Sequence, residues 1–210
     1  MFTVKKASLN PLQTNCYFLI KDNQVIIIDP SIDTDGTIDK ILKKIEGLTP
    51  VCILLTHGHF DHISAVDILV DRFHLPVYIH EYDMDFLTNN QLNGAALLNQ
   101  DFNFKSQVSQ LPEGQVEIQG FNFNVINTPG HTPGSVSIFY ENVCFCGDCI
   151  FRLTIGRTDL AGGNNRQMKQ SIEFFKSIDI DYRLFPGHGD ETILSFEKKF
   201  NPYFRENSAY

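Results

Sequence analysis

No run of apolar residues in this 210-residue chain approaches the roughly 18 needed to cross a bilayer, so the sequence carries no transmembrane helix. Basic residues are scarce: 17 Lys and Arg stand against 25 Asp and Glu, for a net charge of −8. Nucleic-acid binders normally present a basic field to phosphates, so that class is disfavoured. The stretch from Met1 to Leu9 alternates apolar residues with Lys5 and Lys6 and lacks the long apolar core of a signal peptide. Cysteine is sparse and odd in number, at positions 16, 52, 144, 146 and 149. With no export signal, that pattern reads as reduced thiols in a cytoplasmic protein. Cys146 and Cys149 form a C-x-x-C, but no second pair exists to complete a zinc knuckle, and the thiols are expected as small buried strand residues. Repeats, linkers and composition shifts are also missing, which predicts a single domain over residues 1–210. A composition of 42% hydrophobic and 20% charged residues is that of an ordered globular chain.

The patterning predicts strands at 2–8, 16–21 and 25–29, the last two joined by an Asp-Asn turn at 22–23. Ile38, Ile41, Leu42 and Ile45 repeat at helical spacing, and Gly47 offers a stop. The run 51–55 is wholly apolar, as in a strand buried on both faces. A helical period follows from Ile63 to Phe73, then a strand at 76–80 and a short helix at 81–87. Residues 88–110 are polar and weakly periodic, and read as a long surface excursion able to carry substrate contacts. Strands return at 115–119, 121–126, 135–140 and 143–146. A Gly-rich loop at 156–163 leads into a helix from about Asn164, with Met168, Ile172 and Phe175 facing inward. A strand at 183–185, a turn at 186–190 and a helix at 195–200 complete the pattern, which fits a layered α/β domain with mixed sheets.

Five of the seven histidines lie in turn-like contexts directly after apolar strand runs. His57, His59, Asp61 and His62 fall within six positions. His131 lies between two Thr-Pro-Gly/Thr-Pro-Gly arms, Asp148 ends the 143–146 strand, and His188 sits in Pro186-Gly-His-Gly-Asp190. Imidazole and carboxylate ligands suit Zn, Fe or Mn, and the absence of thiolate disfavours a structural Cys-type zinc. Histidines two apart in an extended segment point to one side, so His57 and His59 can grip one ion while Asp61 and His62 face a second. His74 and His80 lack such company and are expected to be structural.

Over essentially its whole length, through Thr56-His57-x-His59-x-Asp61-His62, His131, Asp148 and His188, the sequence resembles the metallo-β-lactamase fold superfamily. The resemblance implies an αββα four-layer sandwich with mixed β-sheets. It also implies two divalent metal ions, zinc in the first place with iron or manganese as alternatives. His57, His59 and His131 would hold one ion, Asp61, His62 and His188 the other, and Asp148 would bridge them. Asp29, in Asp29-Pro30, matches a residue that orients a ligand histidine from behind. Thr128–Ser135, Gly147-Asp148-x-x-Phe151 and Ile155–Leu160 narrow the resemblance to short, single-domain glyoxalase II-like proteins. Ser64-Ala65 and Asn164 depart from that pattern without touching a ligand position. Only 22 residues follow His188, so the helical glutathione-binding region of full-length glyoxalase II is expected to be missing.

The function so implied is hydrolysis of a small thioester of the S-D-lactoylglutathione type by a metal-bridging hydroxide, with Asp61 and Asp148 orienting it. The main rival is a mononuclear-iron persulfide dioxygenase, which also carries a Gly-Arg-Thr-Asp segment like 156–159 but uses fewer of these ligands. A lactonase or other ester hydrolase would use the same hardware. A β-lactamase is disfavoured because those enzymes lack the bridging Asp, a di-iron oxygen-reducing module because His59 stands where it has Glu, and an RNA nuclease by charge. Arg157 and Asp159 are candidates for binding a substrate carboxylate, with a plain loop salt bridge as the equal alternative. Tyr140, Phe151 and Tyr203 are pocket candidates that composition alone would place in the core. The oligomeric state is left open by the sequence.

Overall fold

The structure, a computed structural model, describes residues 1–33 and 35–205. The chain divides into two compact units at Leu111/Pro112, where the sequence shows neither linker nor composition shift. Each unit holds one mixed six-stranded sheet and its helices.

The first unit begins with a meander, β1 (Phe2–Leu9), β2 (Thr14–Lys21) and β3 (Gln24–Ile28), paired antiparallel. Asp22 and Asn23 both adopt positive φ, 49° and 67°, the two-residue hairpin geometry that short polar side chains tolerate. β4 (Thr49–Leu54) joins β3 in parallel after a crossover through α1 (Asp39–Ile45), as parallel pairing requires. β5 (Val77–Ile79) and the two-residue β6 (Ser109–Gln110) extend the sheet in parallel. Ile41 and Ile45 of α1 share a core with Val25, Ile27 and Ile53 of the sheet and with Val66 and Leu69.

One expectation changes here and another gains detail. The helix expected from Ile63 to Phe73 is broken into α2 (Phe60–Ile63) and α3 (Val66–Phe73). The Ala65 amide donates to Pro30 O instead of continuing the ladder, and Ser64 Oγ accepts from the Ile32 amide. The segment 88–110 is largely the surface excursion expected, with more order than its weak periodicity indicates. It contains a short 3-10 turn (Ala95–Leu98) and the edge strand β6, and buries Asn93, Ala95 and Phe104.

The second unit places β7 (Gly114–Ile118), β8 (Phe121–Asn127), β9 (Val136–Tyr140) and β10 (Val143–Gly147) in antiparallel order. β11 (Ile150–Phe151) and β12 (Thr154–Ile155) form a small separate hairpin that two-residue strands leave invisible to periodicity. α4 (Asn165–Ser177) starts at Asn164, whose side chain accepts from the Gln167 amide as an N-cap. Its Met168, Ile172 and Phe175 are fully buried among Phe139, Cys144, Cys146 and Leu184. β13 (Arg183–Pro186) runs parallel to β10, β14 (Thr192–Ile193) pairs with β13, and α5 (Leu194–Phe200) follows.

Candidate metal centre

In the first unit the histidine cluster leaves the C-terminal end of β4, in the loop position where parallel strands present ligands. The Asp29 amide donates to Leu54 O, which continues the β3–β4 register by one step and sets Asp29 beside Thr56. Its carboxylate then organises the cluster. Oδ1 accepts from the Thr56 amide at 2.8 Å, and Oδ2 accepts from Thr56 Oγ1 at 2.6 Å and from His62 Nδ1 at 3.0 Å. Thr56 has one hydroxyl proton. Because the carboxylate can only accept, that proton goes to Asp29, and Thr56 Oγ1 accepts in turn from His57 Nδ1, 3.1 Å away. One buried carboxylate therefore sets the tautomer of two imidazoles, leaving a lone pair on Nε2 of each.

His57, His59 and His62 are all buried, with the His57 ring 4.9 Å from that of His59 and 4.2 Å from that of His62. His62 Nε2 lies 3.5 Å from Asp61 Oδ2, and that oxygen accepts from Thr14 Oγ1 at 2.7 Å. Ligand atoms of Asp29, His57 and His62 fall within 4.8 Å of one another, but Asp29 meets His62 through Nδ1, as an orienting partner behind the ring. Asp83, fully buried, accepts from the Gly58 amide at 2.8 Å and pins the loop between His57 and His59. A Cβ at position 58 would meet Phe86 Cβ at 2.5 Å, so glycine is required by close packing.

In the second unit, Gly147 pairs with Pro186, so the chain leaves two adjacent parallel strands from the same end. That register brings Asp148 to His188: Asp148 Oδ2 is 3.4 Å from His188 Nε2 and 3.4 Å from His131 Nε2. His131 Nδ1 donates to the Arg157 carbonyl at 2.7 Å, which again turns the Nε2 lone pair toward a carboxylate. Facing acceptors of this kind repel each other unless a cation lies among them. Imidazole with carboxylate is the donor set of Zn, Fe or Mn, so the residues present fit a divalent ion.

Some expected site residues have other partners. Arg157 and Asp159 are exposed and grip each other bidentately at 2.7 and 2.8 Å. The hydrogen bonds from Arg157 hold the Asp159 carboxyl down at about 2. The part of Arg157 that touches His131 is its carbonyl, which no sequence pattern indicates. Tyr140 is buried against Phe121 and Phe123, while the Phe151 ring lies 6.0 Å from that of His188. His74 ends α3 in the left-handed conformation, and the buried His80 caps the following 3-10 helix by accepting from the Tyr82 amide. All five cysteines are free and buried, and burial pushes the Cys52 and Cys149 thiols up to about 12. Sequence reasoning missed Thr14 and Asp83, because each acts on a residue distant in the chain from a segment with no motif of its own.

Comparison with known proteins agrees with this chemistry. A family model described as the metallo-beta-lactamase superfamily matches residues 9–188. The Bacillus subtilis protein described as "Probable metallo-hydrolase YqgX" is 37% identical over 204 residues, covering 95% of this chain and 96% of that protein. Among solved structures, the BLEG-1 B3 metallo-beta-lactamase matches with a TM-score of 0.89 and 39% identity, over 97% of this chain and all of the other. TTHA1623, solved in a di-iron-bound form, matches with a TM-score of 0.84 and 34% identity, over 95% and 99%. ETHE1 from Myxococcus xanthus matches with a TM-score of 0.73 and 27% identity, over 96% and 83%. No helix among the described residues is long and apolar enough to cross a membrane. The chain belongs to the metallo-beta-lactamase superfamily, with that superfamily's mixed-sheet α/β fold and His/Asp clusters of the metallo-hydrolase type.

Proposed function

We propose that this protein is a thioester hydrolase of the hydroxyacylglutathione type, working with two divalent ions, zinc first and iron or manganese as alternatives. In this reading His57, His59 and His131 would hold one ion and Asp61, His62 and His188 the other, with Asp148 as the ligand they would share. The observation that carries it is the placement of one Asp148 oxygen 3.4 Å from Nε2 of both His131 and His188, so a single carboxylate faces a ligand of each proposed ion. Bound to these donors, the ions supply Lewis acidity for a carbonyl and bring the pKa of water near neutrality.

The chain's own residues then have defined tasks. Asp29 keeps Nε2 of His62, and through Thr56 that of His57, in the ligating tautomer. The Arg157 carbonyl does the same for His131. Thr14 holds one oxygen of Asp61, restricting how that carboxylate can turn. Asp61 and Asp148 would orient the attacking hydroxide as well as serve as ligands. No side chain is needed as a separate general base.

A β-lactamase reading is favoured by one specific observation, the 39% identity to BLEG-1 over nearly the whole chain. The test separates the readings. Protein purified from its own host is analysed for metal content and assayed with S-D-lactoylglutathione, simpler thioesters, a chromogenic cephalosporin, and glutathione persulfide with oxygen uptake. Two ions per chain with thioester hydrolysis as the fastest reaction are expected. A single iron with oxygen consumption and no thioester hydrolysis overturns the proposal in favour of a persulfide dioxygenase. Faster cephalosporin turnover overturns it in favour of a β-lactamase.

A further inference from the structure

A cavity of about 440 Å³ opens in the first unit directly beside Asp61. Its size is within the range that small-molecule sites occupy. Leu12, Ile32, Phe60 and Leu98 line it, and Leu12 and Leu98 are 47% and 44% exposed. Large apolar side chains left open beside a buried polar cluster are the composition of a site for an apolar group.

The polar members of the wall are largely committed to one another. Asn10 Nδ2 donates to Ser31 Oγ at 2.8 Å, while its Oδ1 accepts from the Leu12 amide at 2.8 Å. Ser31 and Ser64 share a hydrogen bond at 2.9 Å, and Ser64 Oγ accepts from the Ile32 amide at 3.1 Å. These bonds shape the wall and leave little polarity to recognise a ligand. The charge of the lining is of one sign: it includes Asp33 and Asp61 and, among the described residues, no Lys or Arg. Lys40, outside the lining, is engaged by Asp33 at 2.7 Å.

We propose that this cavity holds a neutral, apolar group of the substrate next to the Asp61 side of the metal centre, an assignment that rests on the hydrolase reading. The carboxylates of an anionic thiol such as glutathione would lose their hydration here with no Lys or Arg of the lining to pair with, and must lie elsewhere. The preferred substrates are therefore thioesters with an uncharged aliphatic or aromatic group of moderate size, whether that group belongs to the acyl or to the thiol half.

The experiment starts from binding, measured by calorimetry on the metal-loaded protein with inert thioethers. The probes are S-ethyl-, S-hexyl- and S-(5-carboxypentyl)-N-acetylcysteamine. A buried methylene contributes about fourfold in affinity, and an open cavity that buries about half of the four added methylenes gives the hexyl compound an advantage of about tenfold or more over the ethyl one. The carboxypentyl compound should bind at least about tenfold more weakly than the hexyl one, and Leu98→Glu should reduce the hexyl advantage to less than about threefold. Equal affinities across the series, or a hexyl advantage that survives Leu98→Glu in protein of unchanged far-UV dichroism, overturn the assignment. KM values for hexanoyl esters of a small thiol and acetyl esters of hexanethiol then tell which half enters, the half that uses the cavity showing the lower KM. Absence of turnover with every thioester, despite the expected binding order, refutes the hydrolase reading, whereas turnover indifferent to chain length refutes the cavity.

Discussion

Replacing Asp29 by Asn preserves the shape of a side chain that is 2% exposed but changes what it can accept. The carboxylate takes three hydrogen bonds, from the Thr56 amide, Thr56 Oγ1 and His62 Nδ1. If the Asn oxygen keeps the Thr56 amide, its NH2 group faces the other two partners. Thr56 Oγ1 then accepts and turns its proton toward His57 Nδ1, while His62 must accept at Nδ1. Both imidazoles are driven to the tautomer with the proton on Nε2, the wrong atom for a ligand. Loss of such an orienting partner typically costs about 10- to 100-fold in metal affinity, equal to roughly 1.4–2.7 kcal/mol. Position 29 has φ of 52°, which Asn tolerates, so the backbone is not the source of the effect. Competition against a chromophoric chelator measures the affinity, and urea unfolding of metal-free protein measures the fold separately, where a loss of only about 1–3 kcal/mol is expected. Asp29→Ala should lower stability further, because the Thr56 amide and His62 Nδ1 lose a buried acceptor. Metal affinity of Asp29→Asn within twofold of the wild type would refute the tautomer argument.

Three further outcomes are expected. Asp148→Ala should lose most of one ion and nearly all turnover, measured by metal content and thioester assay; two tightly held ions at a normal rate would remove the bridge. Gly156→Ala would set a Cβ 1.8 Å from the Asp148 carbonyl oxygen, so the β11–β12 hairpin must move, with about 2–4 kcal/mol lost on urea unfolding and weaker metal retention. Asp159 should titrate near pH 2 by NMR, returning to the ordinary carboxylate range in Arg157→Gln. Because its folded pKa is depressed, any stabilisation by this pair is present above the ordinary value and fades as pH falls toward about 2. Both side chains are well exposed, so thermal stability near pH 7 should not change measurably.

The candidate site residues stand out in the sequence because donor chemistry and strand-end turns are local properties. His57, His59, Asp61 and His62 follow a short apolar run of buried-strand type, and Gly flanks His131, Asp148 and His188. The inward face of α4 was legible for the same reason, since Met168, Ile172 and Phe175 repeat at helical spacing. The break between α2 and α3 was not, because it depends on Pro30 and Ile32, more than thirty residues upstream. Nor were the contacts that position the candidate residues and their loop: Thr14 on Asp61, Asp83 on Gly58, and the Arg157 carbonyl on His131. The division at Leu111 left no trace in composition either. Which atoms can bind a metal is a matter of residue type, written into the sequence position by position. Which nitrogen of each histidine keeps its proton depends on acceptors brought alongside by strand register and loop packing, and only the tertiary structure supplies those.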